Sequence, residues 1–163
     1  MKRTNPVPPE GSTVRRATRE DATTLAKLRF ELFVELGKAT TDREPEFVEA
    51  CRATYAKLFD GKRVLAWIAE DRRGGAVAAL TLLLFPRLPT PAHPGAEEGY
   101  VVGVFTRPRW RGRGIALALT SAAIDEARRR GLARIRLHAT EQGRRVYESR
   151  GFRLRGDEME LAL

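Results

Sequence analysis

The sequence predicts a single α/β domain built on a mixed sheet of about six to seven strands, with parallel pairing at its centre and about four helices around it. Three observations lead there. From Gly99 onward, hydrophobic periodicity gives the order strand, helix, strand, helix, strand, and a strand that returns in the same direction after a helix requires parallel pairing. Asp71-Arg72-Arg73-Gly74-Gly75 separates two apolar runs, a hairpin signature that makes the flanking strands antiparallel. The chain has 163 residues, 42% of them hydrophobic, which suits one domain that buries a full core without disulfides or a structural metal.

The elements follow in order. Residues 1–12 are polar and Pro-containing and read as a short mobile leader before a single domain over 13–163. Thr13 to Ala17 forms a first strand, and Thr18 followed by Asp21 marks a capped helix start, with the helix running to about Leu36. Glu44 to Phe59 repeats Phe47, Cys51, Tyr55 and Leu58 on one helical face. Leu65 to Glu70 and Ala76 to Phe85 are the hairpin strands, and Pro86 to Gly95, with its four prolines, is an irregular loop. Gly99 to Thr106 is a strand rich in Val, Tyr and Phe. Ile115 to Arg130 places Ile115, Leu119, Ala122, Ala123 and Ala127 on helical spacing. A strand at Ala133 to Ala139 and a helix at Glu141 to Arg150 come next, with Gly151 suited to the left-handed position after a helix end. Two last strands are read at Phe152 to Arg155 and Glu158 to Leu163.

Chemistry concentrates in Arg111-Gly112-Arg113-Gly114-Ile115-Ala116, between the fourth strand and the third helix. At a helix start the first backbone N–H groups lack intrahelical partners and the macrodipole is positive, so main-chain donors alone can hold a diphosphate. Glycine lets a ligand come close to that backbone. The P-loop pattern and the dinucleotide pattern Gly-x-Gly-x-x-Gly are both absent. The run resembles motif A of the Gcn5-related N-acetyltransferase (GNAT) family, Arg/Gln-x-x-Gly-x-Gly/Ala, through Arg111, Gly114 and Ala116. About thirty residues later, Val146-Tyr147-Glu148-Ser149-Arg150-Gly151-Phe152 resembles that family's motif B, and two ordered motifs are far more specific than either alone.

That resemblance implies a mostly antiparallel sheet with a parallel central pair. It also implies direct transfer of an acetyl group from acetyl-coenzyme A to a primary amine, without a covalent enzyme intermediate. In this sequence it makes the Val104 amide the donor to the developing oxyanion, with Gly103 suited to the bulge that frees it. Val104, Phe105 and Thr106 fall along the pantetheine arm, and Arg111, Gly112, Arg113, Gly114, Ile115 and Ala116 at the diphosphate. Tyr147 is the counterpart of the family's general acid, a phenol with a pKa of about 10 that protonates the departing thiolate. Thr140 stands where many members carry Asn against the pantetheine. Members with a general base often place a Glu on the strand before motif A. Here Glu97 and Glu98 fall just before Gly99 and read as solvated loop charges, with base action through water as the alternative. His138 points away from the apolar face formed by Ile135, Leu137 and Ala139 and reads as a surface residue, and His93 as a loop residue.

The formal charge of +9 raises nucleic acid as a partner. Arg107, Arg109, Arg111 and Arg113 crowd the Gly-rich turn, where a cofactor carrying phosphates accounts for them. Arg128, Arg129 and Arg130 suit a helix C-terminus, and aromatics do not alternate with the basic residues as a base-stacking platform requires. No specific nucleic acid is therefore expected. Cys51 is the only cysteine, so neither an intrachain disulfide nor a cysteine metal cluster can form, and no metal is expected. No apolar run approaches membrane-span length, and a cytoplasmic enzyme is the expectation, with a homodimer left open. The competing readings are another acyl-coenzyme A as donor, a non-catalytic coenzyme A-binding regulator, or a basic nucleic-acid-binding module. The resemblance implies acceptor specificity from residues 35–47, the Pro-rich loop and the chain end. Asp42, Glu44, Glu46 and Glu49 read there as a charged loop and a favourable helix start that could also draw a cationic amine.

Overall fold

The computed structural model describes residues 11–92, 94, 97–156 and 161. Nine elements follow one another: β1 (Ser12–Arg16), α1 (Ala22–Glu35), α2 (Glu44–Asp60), β2 (Val64–Asp71), β3 (Ala76–Pro86), β4 (Glu97–Thr106), α3 (Ile115–Arg129), β5 (Ile135–Leu137) and α4 (Glu141–Glu148). The strands lie in chain order, β1-β2-β3-β4-β5. β1 joins β2 antiparallel after α1 and α2, a hairpin and a loop make the β2–β3 and β3–β4 pairs antiparallel, and the α3 crossover makes β4 and β5 parallel.

β2 explains the layering. It is buried on both faces, and its side chains alternate between two cores. Leu65, Trp67 and Ala69 join Leu80, Leu82, Val101, Ile115 and Leu119 beneath α3. Val64, Ala66 and Ile68 join Leu25, Leu28, Tyr55 and Phe105 beneath α1 and α2. Ile115 and Leu119 are essentially solvent-free, and burial of each stabilises the α3 contact by about 1.5–3 kcal/mol. The Thr18 backbone N–H donates to Asp21 Oδ2 at 2.8 Å, a capping box that opens the short turn Arg19–Asp21 leading into α1.

Two expectations about strands are corrected. The sheet has five strands among the described residues, and its parallel pair is three residues long and lies at the end of that order. Phe152 to Arg155 is not a strand: Phe152 turns back against Tyr147, with ring centroids 5.8 Å apart, and Leu154 is 71% exposed, so no alternating face is buried. The strand read at Glu158 to Leu163 lies almost wholly outside the described residues, as does His93. None of the described helices is long and apolar enough to cross a membrane.

Candidate active site

The site begins at a break in β4. Thr81 pairs with Gly103 but Leu82 pairs with Val101, so Val102 is an extra residue, a β-bulge. A regular strand would put Val101 and Val104 on opposite faces; the inserted residue brings both to the α3 core. Phe105 is then carried into the opposite core, so only its backbone can meet a ligand. The ladder to β5 stops at the Val101–Leu137 pair. Beyond it, residues 103–106 of β4 pair only with β3 among the described residues, so their other edge has no strand beside it. Thr106 Oγ1 is buried there without a hydrogen-bond partner.

Just beyond β4, Gly112 and Gly114 adopt left-handed φ angles of 75° and 76°, and a Cβ built on either would meet no atom within 4 Å. Gly114 is the N-cap of α3, no side chain caps the helix, and its first turn carries no acidic residue. Buried Ile115 pins this start to the core, while Ala116 is half-exposed. The result is an exposed helix start whose main-chain donors no side chain caps.

The arginines around it divide. Arg111 Nε donates to the Thr106 carbonyl at 3.0 Å and its Nη2 to both carboxylate oxygens of Glu35 at 2.7 and 2.6 Å. Arg107 makes a fork onto Glu31 at 2.8 and 2.6 Å and donates to the Ala76 carbonyl at 2.9 Å. Glu31 and Glu35 are one turn apart on α1, so this helix end is tied twice to the turn that carries the glycines. Arg113 lies over the Trp110 ring at 4.8 Å and has no acidic partner among the ion pairs of the described residues.

Thr140 is the N-cap of α4, where its Oγ1 accepts from the Gly143 N–H at 3.2 Å. Tyr147 stands on that helix with its phenol pushed above its ordinary pKa by burial. It lines a cavity of about 630 Å³ with Leu137, His138, Ala139 and Phe152. No β4 residue lines this cavity, but His138 and Ala139 are where the chain of β5 parts from β4.

Glu97 and Glu98 are strand residues rather than loop charges, and Glu98 is only 6% exposed. Arg134 Nε and Arg136 Nη2 donate to its two oxygens at 2.7 and 2.5 Å. Burial pushes its carboxyl up, and the Arg134 hydrogen bond and the Arg136 charge outweigh this and hold it below the usual carboxylate range. Glu98 therefore ties β4 to β5 and is a poor base. His138 Nδ1 is hydrogen-bonded to the Tyr100 hydroxyl of β4. The acidic stretch before and within α2 is partly neutralised, Glu46 by Arg43 at 2.9 Å and Glu49 by Arg52 at 2.6 Å.

The structure adds residues that the sequence did not single out. Arg29 of α1 donates through Nη1 to the Val102 carbonyl at 2.9 Å, and Tyr55 shares a 2.8 Å hydrogen bond with Thr81, opposite the bulge. These partners are 73 and 26 residues apart, beyond the reach of any local pattern.

The chain matches the acetyltransferase (GNAT) family model over residues 29–152, more than half its length, and belongs to that family. It is 36% identical over 91 residues to a mycothiol acetyltransferase of Beutenbergia cavernae. That match covers 54% of this chain but 28% of the relative, so the chain spans well under half of that protein. Among solved structures, a predicted acetyltransferase of Clostridium acetobutylicum, determined with acetyl-CoA, is 25% identical with a TM-score of 0.80 over 93% of this chain and 96% of that one. A GCN5-related N-acetyltransferase of Ralstonia eutropha JMP134 is 27% identical with a TM-score of 0.79 over 94% and 99%.

Proposed function

We propose that the protein is an N-acetyltransferase that moves the acetyl group of acetyl-coenzyme A to a primary amine by direct attack. The observation that supports this most strongly is the order of two features: the edge of β4 at residues 102–106, which β5 leaves, is followed through the short turn Pro108–Trp110 by the uncapped, glycine-lined start of α3. The donor set fits the group. Gly112 and Gly114 leave open space beside the start of α3, the orphan Thr106 hydroxyl suits an amide-rich arm, and Arg113 is a cation without an acidic partner near the helix start.

When bound, acetyl-coenzyme A supplies an activated thioester. The amides of residues 112–116 hold its diphosphate, aided by the helix dipole. The backbone of Val104 and Thr106 pairs with the pantetheine arm as an added strand would, and Phe105 contributes its peptide groups. Arg111 is given a different part from the one its motif implies: joined to Glu35 and the Thr106 carbonyl, it fixes the turn rather than reaching for phosphate. The Val104 N–H stabilises charge on the carbonyl oxygen as the amine attacks. Tyr147 protonates the thiolate, and the burial that raises its pKa keeps the phenol in its donating form at neutral pH. With Glu98 locked in ion pairs, the amine loses its proton to water or to Glu97.

The test is thiol release from acetyl-coenzyme A against a panel of small amines, amino acids, aminoglycosides and peptide N-termini, with mass detection of the N-acetyl product. Amine-dependent release with a matching product is expected. A protein that binds coenzyme A tightly and releases no thiol with any amine would instead be a regulator on this fold.

A further inference from the structure

We infer that Arg29 is a positioning residue that holds the β4 bulge in its donor-presenting form, an inference that rests on the acetyltransferase reading above. Arg29 sits midway along α1, on the side packed over the sheet. Its Nη1 reaches across the layer to the carbonyl of Val102, the residue that the β3–β4 register skips. A bulged residue has no ladder partner, so its carbonyl must be satisfied from outside the sheet. Here the donor is a cation, which makes the hydrogen bond about twice as strong as a neutral one.

The surroundings are shaped around this contact. Gly103 is the residue over which the guanidinium passes: a Cβ there would stand 3.3 Å from Nη1, closer than ordinary packing allows. Phe33 supports the guanidinium from one side, 5.0 Å from its ring. Tyr55 and Thr81, both about 95% buried, join hydroxyls on the strand opposite the bulge. Arg29, Tyr55, Thr81 and Gly103 share the wall of a void of about 20 Å³. Polar groups this deep in an α/β layer are costly unless paired, and these converge on one stretch of β4. The bulge sets the direction of each peptide from Gly103 to Thr106, the Val104 N–H included. Arg29 thereby fixes the aim of the oxyanion donor from the opposite face of the sheet, without touching substrate.

Three variants test this: Arg29→Met, which keeps the stem and removes the donor; Arg29→Lys, which restores one; and Gly103→Ala, which presses only on the flexible tip of the guanidinium. Each is read by turnover at saturating substrates, by calorimetric affinity for free coenzyme A, which lacks the acyl carbonyl, and by the ¹H–¹⁵N shift of the Val104 amide. Arg29→Met is expected to lose roughly 10- to 100-fold in turnover, since a misaimed donor forfeits part of what a deleted one does. Its coenzyme A affinity should stay within about twofold, and its Val104 amide should shift. Arg29→Lys should recover most of the turnover, and Gly103→Ala should fall between. A folded Arg29→Met protein with wild-type turnover and an unmoved Val104 amide overturns the inference and leaves the acetyltransferase reading intact. Absence of acetyl transfer by the wild type overturns both. If Arg29→Met does not fold, Gly103→Ala decides by kinetics, since its Val104 amide shifts with the neighbouring residue in any case: unchanged turnover overturns the inference, and reduced turnover with unchanged coenzyme A affinity supports it.

Discussion

Replacing Gly114 by Val separates the cost to the fold from the cost to the ligand. Gly114 has φ +76°, and a valine forced there is strained by about 1–2 kcal/mol. For a domain of this size that lowers Tm by about 2–8 °C. No steric term is added, because a Cβ at this position meets no atom within 4 Å. The protein should therefore remain folded. The ligand has no such freedom: two branched methyl groups would occupy the space through which a diphosphate oxygen reaches the N–H groups opening α3. Loss of two charge-assisted hydrogen bonds, at about 1.5–3 kcal/mol each, weakens binding by roughly 10²- to 10⁴-fold. Calorimetry with coenzyme A, paired with a thermal melt followed by circular dichroism, measures both quantities. A Gly114→Val protein that melts within the expected range and binds coenzyme A with wild-type affinity would refute the placement of the diphosphate at α3.

Other outcomes follow from the same geometry. Tyr147→Phe should lower turnover by about 10²-fold with little change in coenzyme A affinity, and because burial raises the phenol pKa, wild-type turnover should not decline with rising pH until above about 10. Arg113→Ala should weaken coenzyme A but not pantetheine analogues lacking phosphates, whereas Arg111→Ala should lower Tm and affect both ligands, since its fork holds Glu35 and the Thr106 carbonyl; equal behaviour of the two variants in calorimetry would contradict this division. Glu98→Gln should destabilise the protein by about 1–3 kcal/mol at pH 7. Because the folded carboxyl titrates below its unfolded value, that contribution is complete above about pH 4.3 and vanishes as pH falls through the folded pKa, so melts at pH 7 and pH 3 should show the difference shrinking. Duplex DNA should bind weakly, with steep salt dependence in a shift assay.

Most of the architecture is legible from local pattern because most of it is local. α2, β2, β3, β4 and α3 begin and end within about two residues of their expected bounds, set by the Pro45 start, the Asp71–Gly75 turn and the Gly114 entry. A bulge beside Gly103 is legible too, since a lone glycine in a β-branched run often marks one, and the extra residue is the adjoining Val102. What periodicity could not supply is which side chain answers which. Glu98 looks like a solvated charge beside a Pro-rich loop until β5 brings Arg134 and Arg136 against it. That Arg107 and Arg111 meet Glu31 and Glu35 of α1, each 76 residues away, is likewise beyond any local pattern. Ala133 to Ala139 has strand composition along its whole length, yet its bonding to β4 runs from Ala133 only as far as Leu137, because β4 and β5 part beyond the Val101–Leu137 pair.

The most direct measurement is a ¹H–¹⁵N titration of the full chain with coenzyme A. Saturable shifts should concentrate on the amides of 112–116, Val104 and Thr106, and spare those around Arg128 to Arg130. Shifts confined to the basic helix end or to the α1–α2 connection, with the amides of β4 and the α3 start unmoved, would contradict the account.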